Sequence, residues 1–168
     1  MVVGLGAPVV TTPPDLLISA DARLIALRTP AGLVLHKTSS GSRFTVDAWL
    51  QYLAETEIIA LPPCPADGCL LNTTPEIRLL DAGVPDAACG AALVVSPAPI
   101  RLSCDHAVAQ IDRFTVWRNG AHAVWFSGAV PLVLSDRTFR GARPWVPQIP
   151  TSGRLPPGPL LPVAMADD

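Results

Sequence analysis

The sequence predicts an α/β (α+β) domain in which mixed sheets are flanked by a few helices, and three observations carry that expectation. Short apolar, β-prone segments recur along the chain with turn residues between them. One segment, residues 45–55, keeps an apolar period of 3.6 residues. Hydrophobic residues fill 49% of the 168 positions and charged residues only 15%, which is enough for a real core and too apolar for a disordered chain.

Residues 16–19, 23–29 and 33–37 read as a hairpin meander, because only Ala20-Asp21-Ala22 and Pro30-Ala31-Gly32 separate them. In 45–55, Val46, Trp49, Leu50 and Leu53 fall at i, i+3, i+4 and i+7, one stripe of a helix. Asp47 lies in its expected first turn, where the dipole favours a carboxylate. Residues 70–72 and 77–80 suggest a second hairpin around Thr73-Thr74-Pro75-Glu76, followed by a helical turn at 85–89. The apolar run 91–96, stopped by Ser96-Pro97, reads as a strand buried on both faces. Residues 108–111, 121–126 and 130–134 give three more strands, with 113–117 a helical turn. Nineteen prolines, seven of them between Pro144 and Pro162, mark loops and a tail, since proline lacks a donor and fixes φ. One domain is therefore expected over 15–148, with 1–14 a linker or the remnant of a membrane segment and 149–168 a disordered proline-rich tail.

A net charge of −2 argues against attraction of the whole molecule to nucleic acid or anionic lipid. Residues 1–10 are about half the ~20 apolar residues of a membrane span and lack the basic start of a signal peptide. Read alone, the chain stays in the cytoplasm.

The usual chemical templates fail. His36, His106 and His122 share no metal-binding spacing, and one surface or hydrogen-bonded role each is expected. Gly-x-Ser-x-Gly is absent, and Gly4-Leu5-Gly6 lacks the third glycine of a dinucleotide loop. Cys64 and Cys69 flank Pro65-Ala66-Asp67-Gly68, a turn that would join them across a hairpin. Cys89 and Cys104 stand at either end of the buried strand, where a bridge would contribute ~3 kcal/mol. Disulfides, free buried thiols and a zinc site are the alternatives; zinc needs two close pairs, and an even count beside turns tilts toward disulfides and an oxidising compartment.

One stretch departs from this blandness. From Arg101 to Trp145 six arginines face three aspartates, a local balance of +3, interleaved with Phe114, Trp117, Trp125, Phe126, Phe139 and Trp145. Exposed arginine with exposed aromatics is the chemistry of single-strand binding. The competing arrangement puts Phe114, Trp117, Trp125 and Phe126 in the core and pairs the arginines with nearby aspartates.

The run from Ile111-Asp112-Arg113-Phe114 through Trp117-Arg118-Asn119-Gly120-Ala121-His122-Ala123 resembles a segment near the C-terminus of ComEC-type competence proteins of the α-proteobacterial kind. Gly141-Ala142-Arg143-Pro144-Trp145-Val146-Pro147 resembles the ending that follows it there. Residues 15–26 look like the strand pair after the last membrane helix, Cys64 to Cys69 like the family's cysteine turn, and Cys89 with 91–96 like its cysteine-then-strand element. The resemblance covers about 15–147 in consistent order. It implies a truncated metallo-β-lactamase-like sandwich belonging to an envelope channel that passes single-stranded DNA inward during transformation. Fuller members carry an H-x-H-x-D-H metal motif, which has no counterpart here, so no metal ligand carries over.

The expectation is thus a non-catalytic extramembrane domain in the cell envelope, with no cofactor. Its partners would be the membrane channel portion of the same or a parent protein and, through Arg113, Arg118, Arg140 or Arg143, single-stranded DNA. A residual metal-dependent hydrolase and a nonfunctional fragment of a disrupted gene are the competing readings.

Overall fold

Three antiparallel strands open the fold in the computed structural model, which describes residues 12–37, 41–65, 67–71, 73–81, 86–101, 109–126, 128–141 and 143–146. They are β1 (Leu16–Ile18), β2 (Leu24–Thr29) and β3 (Gly32–Lys37), the expected meander. The β1–β2 turn holds itself. The Ser19 carbonyl accepts from the Ala22 N–H at 3.0 Å, while the Ser19 hydroxyl donates to Asp21 and accepts from the Leu24 N–H.

The helix α1 (Arg43–Leu53) follows and returns the chain so that β4 (Ile58–Ala60) lies parallel to β3. It starts two residues earlier than the apolar period predicts, because Arg43 and Phe44 are exposed and carry no inward signal. Asp47 therefore lies beyond the first turn, and the expected dipole contact is not made. Trp49, Leu50 and Leu53 do face inward, onto Leu17, Ala26 and Leu33. The strand β4 was not foreseen: it has three residues, all exposed, too few for a period to register.

The second sheet begins with the hairpin β5 (Cys69–Leu71) and β6 (Ile77–Leu79), turned at a cis Thr74–Pro75 bond. A 3-10 turn at Asp86–Gly90 leads to β7 (Leu93–Val95), and β8 (Ala109–Ile111) follows; β6, β7 and β8 run parallel. The expectation for β7 holds. Leu93 and Val95 face the core between the sheets, and Val94 packs outward against Leu80, Ala88, Ala91 and Ile100.

The chain then forms α2 (Arg113–Asn119), β9 (His122–Trp125), β10 (Leu132–Ser135) and α3 (Asp136–Arg140). The five-residue α3 was also unforeseen; its N-cap is Ser135, whose hydroxyl oxygen accepts from the Thr138 N–H at 3.1 Å. The strand order is β10-β9-β1-β2-β3-β4 in one sheet and β5-β6-β7-β8 in the other. Leu16, Ile18, Ile25 and Val124 of the first meet Leu71, Ile77, Leu79, Leu93, Val95 and Ile111 of the second. Two mixed sheets with flanking helices are the α+β architecture that the sequence predicts.

Cys64 and Cys69 are bonded, with Cα atoms 4.9 Å apart. Cys64 lies in a proline-rich loop, so the bridge ties that loop to the first residue of β5 and does not cross a hairpin. Gly68 makes the turn, at φ 87°, with its Cβ direction 2.6 Å from the Leu79 carbonyl oxygen. Cys89 is also disulfide-bonded, while Cys104 lies outside the described residues. So do 1–11 and the tail at 149–168; at 12–14, Pro14 is buried and the Thr12 carbonyl accepts from the Trp125 indole at 2.8 Å. Among the described residues no helix is long and apolar enough to cross a membrane.

Candidate functional site

The helix α2 is seated by one side chain and one cap. Val116 is its buried residue. Asp112 caps it, accepting from the Thr115 N–H and hydroxyl at 2.8 Å each and from the Ile100 N–H at 3.2 Å. Burial opposes charge on Asp112, but these donors together hold its carboxyl below the usual carboxylate value. With Val116 turned in, the i, i+4 pairs Arg113/Trp117 and Phe114/Arg118 turn out, and all four are exposed.

Trp117 is 71% exposed and Phe114 50%, so these aromatics are not core, contrary to the arrangement weighed from β-propensity. The reason is local: 113–119 is helical, and a single turn on a short cap leaves room to bury only Val116. Trp125 and Phe126 are partly buried, the latter against the core between the sheets. Arg113 and Arg118 form no ion pair with the described residues, whereas Arg140 is paired with Asp136 at 2.8 Å. Arg143 lies over the ring of Trp145, 5.8 Å from its centroid, a cation–π distance.

The two short helices α2 and α3 meet, while Arg143 and Trp145 lie beyond α3. Gly120 ends α2 at φ 77°, with its Cβ direction 3.0 Å from the Asp136 side chain, so the end of α2 touches the start of α3. The Asp136 N–H then donates to the Ala121 carbonyl at 2.8 Å. Phe139 on α3 is 73% exposed.

Beside α2 opens a cleft of about 500 Å³, lined by Asp21, Arg23, Asp81, Arg113 and Trp117 from three separate chain segments. That volume is in the range of small-molecule sites. In the β1–β2 turn, burial opposes charge on Asp21, but the Ser19 hydroxyl and the Arg23 N–H hold its carboxyl below the usual range. Asp81 leads inward from the cleft. One of its oxygens meets His36 Nε2 at 2.8 Å and the other accepts from the Cys64 N–H at 3.3 Å. His36 Nδ1 faces the Cys64 sulfur at 3.9 Å.

Sequence reasoning missed this trio. The signal for His36 was its parity in β3: its register partner is Ile25, whose side chain faces the core, so the ring is only 4% exposed. No spacing pointed to Asp81. Ligand atoms of His36, Cys64 and Asp81 lie within 4.8 Å of one another, but the Cys64 sulfur is bonded to Cys69 and so offers no thiolate to a metal.

His122 sits in the same cross-strand row, opposite Ile18. It is 5% exposed, so neither it nor His36 lies at the surface, and His36 has the hydrogen-bonded role, the other of the two expected. Its Nδ1 has no partner among the described residues, and burial holds its pKa below 6.5. His106 lies outside the described residues. Comparison with protein families, curated proteins and solved structures finds no match for this chain.

Proposed function

We propose that this chain is an extramembrane module of a ComEC-like DNA-uptake protein, holding single-stranded DNA on the arginine and aromatic face of α2 and α3 without cleaving it. One observation carries the reading: Phe114, Trp117 and Phe139 are exposed on two helices that meet and that also carry Arg113, Arg118 and Arg140, and exposed Arg143 lies over exposed Trp145 just beyond them. Exposed tryptophan and phenylalanine serve no packing need in the fold, and stacking on bases is worth ~1–3 kcal/mol per aromatic ring. Guanidinium groups beside the rings supply phosphate contacts without reading sequence, as strand uptake requires. The resemblance of 111–123 and 141–147 to the competence family points the same way and supplies the envelope channel as the partner.

Fluorescence anisotropy with a labelled thymidine oligonucleotide tests this. Binding at low salt should weaken as salt rises, with a log–log slope of roughly −0.7 per neutralised phosphate. Trp117→Ala should weaken it by about tenfold, the loss of one stacking platform. Retention that is absent at low salt, or unaffected by Trp117→Ala, would refute the reading.

A further inference from the structure

We propose that the Cys64–Cys69 bridge is an exchangeable disulfide, that Cys64 is its leaving and attacking sulfur, and that a small thiol attacks it at Cys69, where the bridge meets the edge strand β5. The proposal is independent of the nucleic-acid face.

The bridge sits where exchange is feasible. Both cysteines are half-buried, and Cys69 opens β5, an edge strand. A purely structural bridge needs no proton-handling group beside it, yet this one has a buried, oriented histidine. The Asp81 carboxylate takes the Nε2–H of His36 at 2.8 Å, which leaves Nδ1 aimed at the Cys64 sulfur at 3.9 Å. Cys64 is the sulfur given this contact, and that asymmetry decides which one leaves.

The exchange balances with a thiol as reductant. The thiolate of a small thiol attacks the Cys69 sulfur, the S–S bond breaks, and its electron pair goes to the Cys64 sulfur. The proton that the attacking thiol gives up goes to His36 Nδ1, which then donates to the new Cys64 thiolate, and a better-stabilised thiolate is a faster leaving group. A second thiol attacks the mixed disulfide at its own sulfur, releasing the small disulfide and the Cys69 thiolate. The net change is one protein disulfide and two thiols giving one protein dithiol and one small disulfide. Run backwards, the Cys64 thiolate is the attacking group. Asp81 acts through His36 and is a positioning residue.

The test compares two single-thiol variants, Cys69→Ser, which frees Cys64, and Cys64→Ser, which frees Cys69. Alkylation by iodoacetamide is followed by peptide mass spectrometry as a function of pH. Cys64 should react at least tenfold faster than Cys69 at neutral pH, with a midpoint below the ~8.5 of an ordinary thiol. Adding His36→Gln to Cys69→Ser should remove the advantage and return the midpoint to about 8.5. Should that double variant not fold, Cys69→Ser with Asp81→Asn keeps the ring, loosens it, and should give an intermediate rate and midpoint. Equal rates for the two thiols, or a Cys64 midpoint that neither second substitution moves, would overturn the proposal.

Discussion

The helices α1 and α2 are held to the same two-sheet core by different means. Trp49, Leu50 and Leu53 of α1 lie on Leu17, Ala26 and Leu33, and no side chain caps its N-terminus. Burial seats it. The helix α2 buries only Val116 and is fixed by the three donors that converge on Asp112. Hydrogen bonds seat it. The helix α1 turns one apolar stripe inward and still exposes Phe44 and Tyr52, whereas α2, held by a cap, turns both of its aromatics out beside arginines. The cap therefore makes α2 available as a binding surface and also makes its position dependent on a charge.

The largest effect should come from removing that cap. Asp112→Ala loses an N-cap worth ~1 kcal/mol and leaves the buried Ile100 N–H without its acceptor, a further ~1–3 kcal/mol. Urea unfolding should show a loss of about 3 kcal/mol, and DNA retention should fall with it because the arginine and aromatic face loses its frame. Trp49→Ala on α1 should cost about 2 kcal/mol, less than a fully buried aromatic, since Trp49 is only half-buried. Retention measured well below the midpoint should be unchanged, which separates a packing tryptophan from a presenting one.

How legible the two helices were follows from the same distinction. Burial leaves a period, so Trp49, Leu50 and Leu53 announced α1 and its inward face directly. A cap leaves one residue. Asp112 followed by Thr115 carries no apolar stripe, and β-prone neighbours made Phe114 and Trp117 look like core. The strand β7 was legible because both of its faces are apolar, and β4 was not because neither face is buried. The His36–Asp81–Cys64 trio joins β3 to residues 28 and 45 positions away, and no local pattern records a contact made only by the closing of two sheets. The turn at Cys64 to Cys69 was readable from its proline and glycine, but the histidine behind it was not.

Acid should act on α2 before α1. The folded pKa of Asp112 lies below its ordinary value of 3.8, so its contribution is present above that pH and is lost as pH falls through the folded value. The His122 pKa is lowered from 6.5, so the unfolded chain takes up that proton first and stability declines as pH falls below 6.5 toward the folded value. Two separate declines are expected in unfolding free energy against pH. Asp112→Asn keeps a capping oxygen without a titrating charge, and should shrink the lower decline to the share of Asp21, whose carboxyl is also held low, while leaving the upper one. His122→Phe should remove only the upper one. A single decline untouched by either substitution would mean that other groups control the acid response.

The smallest effect should distinguish arginines within the face itself. Arg118 stands on α2 without an ion pair among the described residues, so its charge is available to a phosphate at no cost in broken contacts. Arg140 on α3 already lies 2.8 Å from Asp136, four residues earlier, and a phosphate must compete with that carboxylate. The pair is exposed and contributes little to stability, yet it neutralises Arg140 locally. Arg118→Ala should therefore lower the steepness of the salt dependence by about 0.7, the share of one phosphate on a single strand, while Arg140→Ala should change it less. Asp136→Asn supplies the converse: with its partner neutral, Arg140 should contribute a full share and the slope should steepen. Equal slopes for Arg118→Ala and Arg140→Ala would place the strand elsewhere on α2 and α3, and make the exposed rings, not the charges, the feature that sets its position.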